Sequence, residues 1–417
     1  MNIEALYQIY SSNYLVTTDT RAIKKDTIFF SLQGEHFNGN TFAKIAIEKG
    51  AKYAIIDDVN YQIKGKTILV NNVLETLQKL ANYHRKQLNI PIIGITGSNG
   101  KTTTKELIHA VLTTQFKTKA TKGNLNNHIG VPLTLLSFTN KTEIGIVEMG
   151  ANHQKEIEFL CSICEPDIGY ITNFGKAHLE GFGGIEGVIK GKSELYTYLK
   201  KNNKIAFIDA TDAKQLELTK NIERIALEPS ISISSTQPLL ALNYSNKIIN
   251  TQLIGAYNLS NLKAAISIGE YYKITEKNII TGLSNYKPTN NRSQIVKKKS
   301  NTIIMDAYNA NPSSMRLALK NFNEINHEQK IVILGDMFEL GAASDKEHQC
   351  IVDLCDTLRL NRCVFVGKHY SKTSATEKYL TVESLIKSIT NTPLEKSCIL
   401  IKGSRGMYLE QLLECIN

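Results

Sequence analysis

The sequence contains no tryptophan and no apolar run long enough to cross a bilayer, and each absence excludes a class of protein. A nucleic-acid motor or binder would need a basic stripe with base-stacking aromatic residues, and neither is present. The tightest basic run, 297–299, is short and is interpreted as a solvated strand end or turn. Residues 1–5 lack a basic, apolar leader pattern, so no signal peptide is expected. We therefore expect neither a nucleic-acid partner nor membrane insertion.

Cysteine is sparse and odd in number, with seven residues in a chain of 417, which favours a reducing cytosol and hence a cytoplasmic protein. Cys161 and Cys164 have the spacing of a redox or zinc pair, but no second pair lies at a suitable distance. They share a helical pattern with Ile157 and Leu160. Both cysteines are therefore predicted to be small apolar residues of the core.

What is present is ordinary for a globular protein, with 42% apolar and 21% charged residues. A chain of 417 residues is too long for one compact core, so two or three domains are expected. The net charge of +10 is spread along the chain. It suits anionic small substrates as well as it would suit nucleic acid.

Alternating strand and helix patterns predict an α/β protein of three domains. Residues 1–88 form a small α/β unit, with strands at 28–32, 53–56 and 67–70 and helices at 42–49 and 73–88. Residues 89–288 form a central domain with a mostly parallel sheet and an antiparallel excursion at 231–254. Residues 289–417 form a Rossmann-like domain whose strands fall at 302–305, 330–334, 362–366 and 398–401.

The central domain opens on a phosphate-binding loop of the P-loop type, which predicts that it binds a nucleoside triphosphate. An apolar strand at 92–95 precedes a small-residue loop, and a helical pattern follows from Lys101. This order aims backbone N–H groups and the positive end of a helix at a polyphosphate. Ile95 stands where the general signature has glycine, and Gly97 lies inside the loop instead. A chance Gly-Lys-Thr in a surface turn would lack the flanking strand and helix.

The loop predicts roles for individual residues. Backbone amides from Gly97 to Lys101 would hold the β and γ phosphates, Lys101 would offset their charge, and Thr102 would offer a hydroxyl to Mg²⁺. Glu148 ends the next strand, where a second magnesium ligand is usual; a capping or salt-bridged surface carboxylate is the alternative. His178 taken alone is more often a structural loop histidine. Lys192 would ordinarily be a solvated helix lysine, and an ammonium cannot bind a cation.

Nine stretches of the sequence together resemble the Mur ligase family and its relatives, the folylpolyglutamate synthases. They are TGSNGKTT at 96–103, GNLNNHIGVP at 123–132, EMGANH at 148–153, AHLEGF at 177–182, KSELY at 192–196, NLSN at 258–261, DAYNANP at 306–312, GDMFELG at 335–341 and KGSR at 402–405. In this family glycine occupies the Gly97 position, so the departure from the general signature is informative.

The resemblance implies a three-domain, ATP-dependent amide ligase of peptidoglycan precursor synthesis. Several stretches look like those of the member that joins D-alanyl-D-alanine to UDP-N-acetylmuramoyl-tripeptide. The N-terminal domain would then bind the UDP-sugar, the central domain ATP, and the C-terminal domain the amine. ATP would phosphorylate the substrate carboxylate, and the amine would attack the acyl phosphate to give a tetrahedral intermediate. We expect a monomer.

The resemblance also implies a set of site residues. One Mg²⁺ would lie on Thr102 and Glu148, and another on Glu148, His178 and a carbamylated Lys192; Lys101 completes the catalytic set. Contacts to ATP are expected from Gly97, Ser98, Asn99, Gly100, Lys101, Thr102, Thr103, Asn258, Asn261, Arg292 and Asp306. Contacts to the other substrates are expected from Thr20, Arg21, Ser31, Gly34, Asn38, Asn124, Asn126, Asn127, Asn309, Asn311, Lys402, Ser404 and Arg405.

Three residues depart from the family pattern, namely Tyr257 for a histidine, Thr20 for a serine and Asn38 for an aspartate. The alternatives are the relative that adds the third amino acid, a folylpolyglutamate synthase, and a P-loop protein of another class, such as a switch or a non-catalytic nucleotide binder. The first would carry an Asp-Asn-Pro-Arg-type stretch, which is absent. The second would lack the N-terminal domain.

Overall fold

The computed structural model describes residues 1–289 and 291–416. The strands are β1 (Val16–Thr17), β2 (Ile28–Phe30), β3 (Gln33–Gly34), β4 (Phe37–Asn38), β5 (Tyr53–Ile56), β6 (Thr67–Leu69), β7 (Ile92–Thr96), β8 (Thr118–Ala120), β9 (Ile144–Glu148), β10 (Ile168–Ile171), β11 (Ile205–Ile208), β12 (Arg224–Ala226), β13 (Ser232–Ser235), β14 (Ala241–Tyr244), β15 (Lys247–Asn250), β16 (Gln294–Lys298), β17 (Asn301–Asp306), β18 (Lys330–Gly335), β19 (Arg362–Val366), β20 (Lys378–Tyr379) and β21 (Cys398–Lys402).

The α-helices alternate with these strands over most of the chain. They are α1 (Ile3–Tyr10), α2 (Ala43–Glu48), α3 (Val73–Leu88), α4 (Lys101–Leu112), α5 (Gly130–Leu135), α6 (Glu156–Cys164), α7 (Leu179–Phe182), α8 (Ile185–Lys192), α9 (Glu194–Lys201), α10 (Ala213–Leu218), α11 (Leu259–Tyr271), α12 (Glu276–Asn285), α13 (Pro312–Glu324), α14 (Ser344–Leu358) and α15 (Val382–Asn391). Among the described residues, no helix combines the length and apolarity that a membrane span requires.

The N-terminal unit is a four-stranded parallel sheet in the order β1-β2-β5-β6. Helix α3 begins at the cap Asn72, whose side chain accepts from the Glu75 N–H at 2.8 Å. Its apolar face, with Leu77, Leu80 and Ala81, packs into a core that also contains residues of the central unit. The predicted strands and both predicted helices of this unit are confirmed to within one or two residues at their ends.

The central unit is a six-stranded sheet, parallel throughout, in the order β12-β11-β10-β7-β9-β8. Helices cover both faces, because Ile92 of β7 belongs to one apolar cluster while Ile93 and Ile95 belong to another. Strand β7 lies between β9 and β10, so the segments that follow these three strands meet at one edge of the sheet. The predicted antiparallel excursion is confirmed as the sheet β13-β14-β15.

The C-terminal unit is a six-stranded sheet in the order β16-β17-β21-β18-β19-β20. All neighbours are parallel except β16 and β17, which pair antiparallel. The sequence predicted the four central strands. Of the two edge strands, only the lysine-rich end of β16 was indicated, as a solvated strand end or turn, and β20, which is two residues long, was missed. The α/β class, with a parallel central sheet and a Rossmann-like C-terminal sheet, is confirmed. The predicted burial of Cys161 and Cys164 in α6 is also confirmed.

Candidate functional site

The phosphate-binding loop joins the end of β7 to the start of α4, as predicted. Gly97 and Gly100 adopt φ angles of 137° and 81°, which residues with a side chain rarely adopt. A Cβ atom at Gly97 would lie 2.0 Å from Thr172 Oγ1. The loop can therefore run close to the end of β10 only with glycine at this position. Its backbone turns toward the N-terminus of α4, which is the geometry of an anion cradle.

Lys101, the first residue of α4, bends back over the loop. Its Nζ donates to the backbone oxygens of Gly97 at 2.7 Å and of Ser98 at 3.2 Å. Burial lowers the pKa of Lys101; the Glu148 carboxylate opposes this and the Arg292 guanidinium adds to it. The side chain thus brings a positive charge to the middle of the loop, where phosphate oxygens would lie.

Glu148 ends β9 and is almost entirely buried beside the loop. Its Oε2 accepts from Thr102 Oγ1 at 2.8 Å, and its Oε1 accepts from Asn126 Nδ2 at 2.8 Å. Its backbone N–H donates to Thr121 Oγ1 at 2.9 Å. The structure therefore brings together the two oxygen ligands that the sequence predicted for a magnesium ion, and the surface-carboxylate alternative for Glu148 is wrong.

Lys105, also on α4, is fully buried, and no role was predicted for it from the sequence. Its Nζ lies 4.0 Å from Glu148 Oε2 and 2.9 Å from Glu106 Oε1, and it also donates to the Thr121 backbone oxygen. A signal existed in the sequence, because Lys105 lies on the same helical stripe as the apolar Ile108 and Leu112. Its buried positive charge lies near the same Glu148 oxygen that accepts from Thr102, and so helps to balance the buried carboxylate.

Lys192, the last residue of α8, is fully buried, so the interpretation as a solvated helix lysine is wrong. Its Nζ donates to the Ala151 backbone oxygen at 2.9 Å and lies 5.0 Å from the centre of the Phe182 ring. Burial lowers the pKa of Lys192 well below its ordinary value, and the nearby charge of Lys101 lowers it further. A neutral amine is accordingly accessible at this position.

His178 follows β10 and lines the same cleft as Glu148. Its Nδ1 contacts Oε2 of Glu339, a residue of the loop after β18 in the C-terminal unit. That contact holds the pKa of Glu339 below its usual range. Sequence reasoning did not find Glu339 as a partner of His178, although it lies in the quoted stretch 335–341. The two segments are far apart in sequence, and only the docking of the domains brings them together.

Asn258, at the N-terminal cap of α11, and Asn261, in its first turn, lie beside the phosphate loop. Asn261 Nδ2 donates to Asn258 Oδ1 at 2.8 Å, and Asn258 Nδ2 donates to the Ile254 backbone oxygen at 2.8 Å. Asn261 Oδ1 accepts from Thr104 Oγ1 at 3.0 Å and would lie 2.7 Å from a Cβ atom at Gly100. Both side chains are buried, and hydrogen bonds within the protein fix their orientation.

The C-terminal unit closes the cleft with charged and amide side chains. Lys402 Nζ donates to Asp306 Oδ2 at 2.6 Å and lies 3.4 Å from the Asn309 backbone oxygen. The Arg292 guanidinium stacks 3.7 Å from the centre of the Tyr308 ring. Tyr257, the departure from the family pattern, pairs its hydroxyl with Ser293 Oγ at 2.8 Å.

Asn311 makes a direct contact between the C-terminal unit and the phosphate loop. Its Nδ2 donates to Asn99 Oδ1 at 2.7 Å, while its Oδ1 caps α13 by accepting from the Ser314 N–H at 2.9 Å. The other two predicted residues of this domain lie elsewhere. Ser404 Oγ accepts from the Phe338 N–H at 2.9 Å, and Arg405 pairs with Glu410 at 2.6 Å.

The residues predicted to bind the UDP-sugar lie in the N-terminal unit. Arg21 is exposed and pairs with Asp19 at 2.7 Å, and the Thr20 backbone oxygen accepts from Lys49 Nζ at 3.2 Å. Ser31 is fully buried after β2, and Gly34 and Asn38 belong to the small β3–β4 hairpin. Asn38 Oδ1 accepts from the backbone and side-chain nitrogens of Asn40, each at 3.0 Å.

A cleft of about 510 Å³ runs between the central and C-terminal units. It brings together most of the predicted ATP, metal and amide residues, namely Ser98, Asn99, Gly100, Lys101, Thr102, Thr103, Asn124, Asn126, Asn127, Glu148, His178, Asn258, Asn261, Arg292, Asp306, Asn309, Asn311 and Lys402. Its volume suits a ligand of nucleotide size. Its lining of amides, cations and one buried carboxylate suits a polyphosphate with bound cations.

Family models match three segments of the chain. Residues 13–93 match the Mur ligase family catalytic domain, residues 95–269 the Mur ligase middle domain, and residues 291–405 the Mur ligase glutamate ligase domain. These segments correspond to the three sheet-containing units described above.

Curated relatives match over nearly the whole chain. A UDP-N-acetylmuramoyl-tripeptide–D-alanyl-D-alanine ligase of Bacillus subtilis is 32% identical, covering 96% of this chain and 92% of that protein. The protein of the same name in Escherichia coli is 30% identical, covering 96% and 93%.

Solved structures agree with the curated relatives. A crystal structure of MurF from Acinetobacter baumannii superimposes with a TM-score of 0.82 at 29% identity, covering 96% of this chain and 92% of that one. The fold is shared with a MurF ligase from Thermotoga maritima solved with ADP, at a TM-score of 0.81 and 24% identity, covering 96% of each chain. The same family is indicated by the phosphate loop, by the three α/β units and by these full-length matches. This chain belongs to the Mur ligase family.

Proposed function

We propose that this protein is an ATP-dependent ligase, forming ADP, that joins D-alanyl-D-alanine to UDP-N-acetylmuramoyl-tripeptide during the synthesis of peptidoglycan precursors. The proposal rests chiefly on relatives that are 30–33% identical across more than nine-tenths of both chains and that share the name of this ligase. The cleft adds chemical support, because it combines a phosphate loop with residues from two domains.

The chemistry begins with activation of a carboxylate, which is a poor electrophile until its oxygen is made a leaving group. Transfer of the terminal phosphate of ATP to the tripeptide carboxylate gives an acyl phosphate and ADP. The amine of the dipeptide then attacks the acyl carbon, and the tetrahedral intermediate releases phosphate as the amide forms. Lys101 and Arg292 supply positive charge where two anionic substrates must approach one another.

The donor set beside the loop fits magnesium. Thr102 and Glu148 offer a hydroxyl and a carboxylate, the hard oxygen ligands that Mg²⁺ prefers, and they already lie within hydrogen-bonding distance of each other. They would hold one ion, and Glu148, His178 and a carbamylated Lys192 would hold another. When bound, the ions offset the negative charge that develops on the transferred phosphate.

Carbamylation of Lys192 requires a neutral amine that can add to CO₂, and the product is an anion that can bind a cation. Full burial and a lowered pKa meet the first requirement. The hydrogen bond to the Ala151 backbone oxygen fixes the nitrogen in the same region as Glu156 and Glu194, the two carboxylates that affect it. Its burial and its altered protonation therefore fit the role of Lys192 as a carbamylated metal ligand.

Other contacts are assigned domain by domain. We propose that residues 1–88 bind the UDP-sugar through Thr20, Arg21, Ser31, Gly34 and Asn38. In residues 89–288, the loop with Asn258 and Asn261 binds ATP, and Asn124, Asn126 and Asn127 contact the muramoyl substrate. In residues 289–417, of which 290 and 417 lie outside the described residues, Arg292 and Asp306 reach the nucleotide. Asn309, Asn311, Lys402, Ser404 and Arg405 contact the dipeptide. The enzyme acts as a monomer in the cytoplasm.

The decisive test is a product assay with purified protein, ATP and Mg²⁺. We expect ADP release only when both UDP-N-acetylmuramoyl-tripeptide and D-alanyl-D-alanine are present, with the pentapeptide product identified by mass. Equal ATP turnover with either substrate omitted would contradict the ligase proposal. Tripeptides ending in lysine or diaminopimelate, and single amino acids offered to the dipeptide precursor, separate this activity from the ligase that adds the third residue.

A further inference from the structure

We infer that Glu339 is a positioning residue that fixes the ring of His178 across the interface between the central and C-terminal domains. In this arrangement the Glu339 carboxylate holds Nδ1, and Nε2 is the nitrogen left to bind a cation in the cleft. The inference rests on the proposed function in one respect, the assignment of His178 as a metal ligand. The new element is that a residue of the C-terminal domain, Glu339, orients a metal ligand of the central domain.

The side-chain contact is specific in its atoms. His178 Nδ1 meets Glu339 Oε2, and the imidazole is largely buried, with a side-chain exposure of 19%. An imidazole that binds a metal through one nitrogen usually donates its other N–H to a carboxylate or a carbonyl. Such a partner fixes both the tautomer and the ring orientation. Glu339 occupies that position without belonging to the domain that carries His178.

The surrounding backbone docks in the same place. The Glu180 N–H donates to the Glu339 backbone oxygen at 3.4 Å, and a Cβ atom at Gly341 would lie 3.2 Å from Glu180 Cβ. Leu179 packs into the apolar cluster of the C-terminal domain, which also contains Leu340. The Glu339 loop and the start of α7 therefore form one interface of main-chain, apolar and charged contacts.

Both partners hold an uncommon backbone conformation. His178 has φ 51° and Glu339 has φ 62°, in the left-handed region that residues with a side chain rarely adopt. Such conformations persist where the surroundings determine them, and they are concentrated at functional sites. Here two of them face each other across a domain interface and direct the two side chains into contact.

The Glu339 loop is fixed to its own domain by neighbouring residues. The Met337 N–H donates to His348 Nε2 at 2.9 Å, and the Phe338 N–H donates to Ser404 Oγ at 2.9 Å. The position of the Glu339 carboxylate therefore follows the C-terminal domain as a whole. It follows that His178 acquires its carboxylate partner only when this domain is docked, so domain closure completes the metal site.

The test uses full-length protein labelled with ¹⁵N-histidine. In metal-free wild type, long-range ¹H–¹⁵N correlation spectra are expected to show His178 with Nδ1 protonated and Nε2 as the bare nitrogen. Glu339→Ala is expected to lose this single tautomer and to weaken Mn²⁺ binding in the presence of ADP by about tenfold or more. Glu339→Gln is expected to keep the tautomer, because its amide oxygen can accept a hydrogen bond from a protonated Nδ1.

The matched control is Glu347→Ala, which removes the contact of Glu347 with Lys176 Nζ, 2.6 Å away, across the same domain interface. It is expected to preserve both the His178 tautomer and Mn²⁺ affinity. The inference is overturned if Glu339→Ala leaves both unchanged, or if Glu347→Ala weakens Mn²⁺ binding equally. If the wild-type protein forms no amide product, the proposed function is contradicted instead. The comparison of His178 tautomers between wild type and Glu339→Ala would still test the positioning role of Glu339.

Discussion

At the scale of single residues, Lys192 shows how burial changes what a side chain can do. A protonated lysine amine has no lone pair and cannot bind a cation, and most lysines at the end of a helix remain protonated in water. Lys192 instead lies wholly inside the protein, between a backbone oxygen and the Phe182 ring. Removing it from water favours the neutral amine, which is the reactive form toward CO₂.

Lys192→Ala is expected to reduce product formation by about 10²–10³, the loss typical of removing a group that stabilises developing charge. Millimolar formate or acetate is expected to restore part of the activity by supplying the missing carboxylate. The measurement is the rate of pentapeptide formation with and without the added acid.

Lys190→Ala is the matched control, because Lys190 is exposed on the same helix. It is expected to retain wild-type activity and to show no response to small carboxylates. A fully active Lys192→Ala protein would exclude the carbamate role.

Site residues could be predicted from the sequence where a single strand, loop or helix start places them. The loop and the strand-end position of Glu148 were confirmed. The partners of Glu148 could not be predicted, since Asn126 was expected to bind substrate and Lys105 had no expected role, yet both lie within 4.0 Å of its carboxylate. These contacts depend on how α4, β8 and β9 pack, and no local pattern specifies that packing.

At the scale of elements, the phosphate loop depends on backbone freedom at its last turn before α4. Gly100 has a positive φ, and any Cβ atom would meet Asn261 Oδ1 at 2.7 Å. That oxygen already accepts from Thr104 Oγ1. A side chain at this position must therefore displace a hydrogen-bonded pair between α4 and α11.

Gly100→Ala is expected to raise the KM for ATP by at least about tenfold and to lower the free energy of unfolding by about 1–2 kcal/mol from backbone strain alone. Gly65→Ala carries the same kind of strain, with φ 71°, but a Cβ atom there meets nothing within 4 Å. It is expected to lose similar stability and to leave the KM for ATP unchanged. Steady-state kinetics and urea unfolding of both variants distinguish the effect of backbone strain from the effect of the steric clash with Asn261.

Most elements were predictable because their periodicity is strong. The predicted helix at 73–88 is α3, and the strand at 362–366 is β19, with identical bounds. The errors fall at sheet edges, where one face is exposed and the apolar pattern weakens. Strand β16 alternates half-buried and exposed residues, so only its solvated end at 297–299 was indicated and the rest of the strand was missed.

At the scale of the whole molecule, the two interfaces of the central domain differ in kind. The N-terminal domain shares an apolar core with the central domain. The C-terminal domain meets it through polar groups around the cleft, including the contacts of Asn99 with Asn311 and of Lys176 with Glu347, and through a small apolar contribution from Leu179, Leu239 and Ile254. A continuous core resists separation, while polar interfaces of this kind permit domain motion. We therefore expect closure to involve the C-terminal domain.

His84 makes the first of these interfaces sensitive to acid. It lies fully buried in α3, with Nε2 3.1 Å from the Phe138 backbone oxygen. Burial lowers the pKa of His84 to about 4, against the opposing effect of that hydrogen bond. The unfolded chain takes up a proton below about pH 6.5, while the folded protein stays neutral at His84. Stability is therefore expected to fall by up to about 3 kcal/mol as pH falls from 6.5 to 4.

The comparison variant is His84→Gln, whose amide can still donate to Phe138 but cannot titrate. Burial also lowers the pKa of His348, so both proteins lose some stability in acid. The difference between their unfolding free energies, measured in urea from pH 7.5 to 4.5, isolates His84. Parallel curves would show that this histidine does not link the interface to pH.

The two ends of the Asn311 side-chain amide make contacts with different consequences. Its oxygen caps α13 and so serves the folding of the C-terminal domain, while its nitrogen donates to Asn99 and so serves the approach of that domain to the phosphate loop. The two bonds fix the amide in one orientation, because exchanging oxygen and nitrogen would break both. The oxygen of Asn311 therefore belongs to the folding of the C-terminal domain, and its nitrogen to the docking of the folded domain on the phosphate loop.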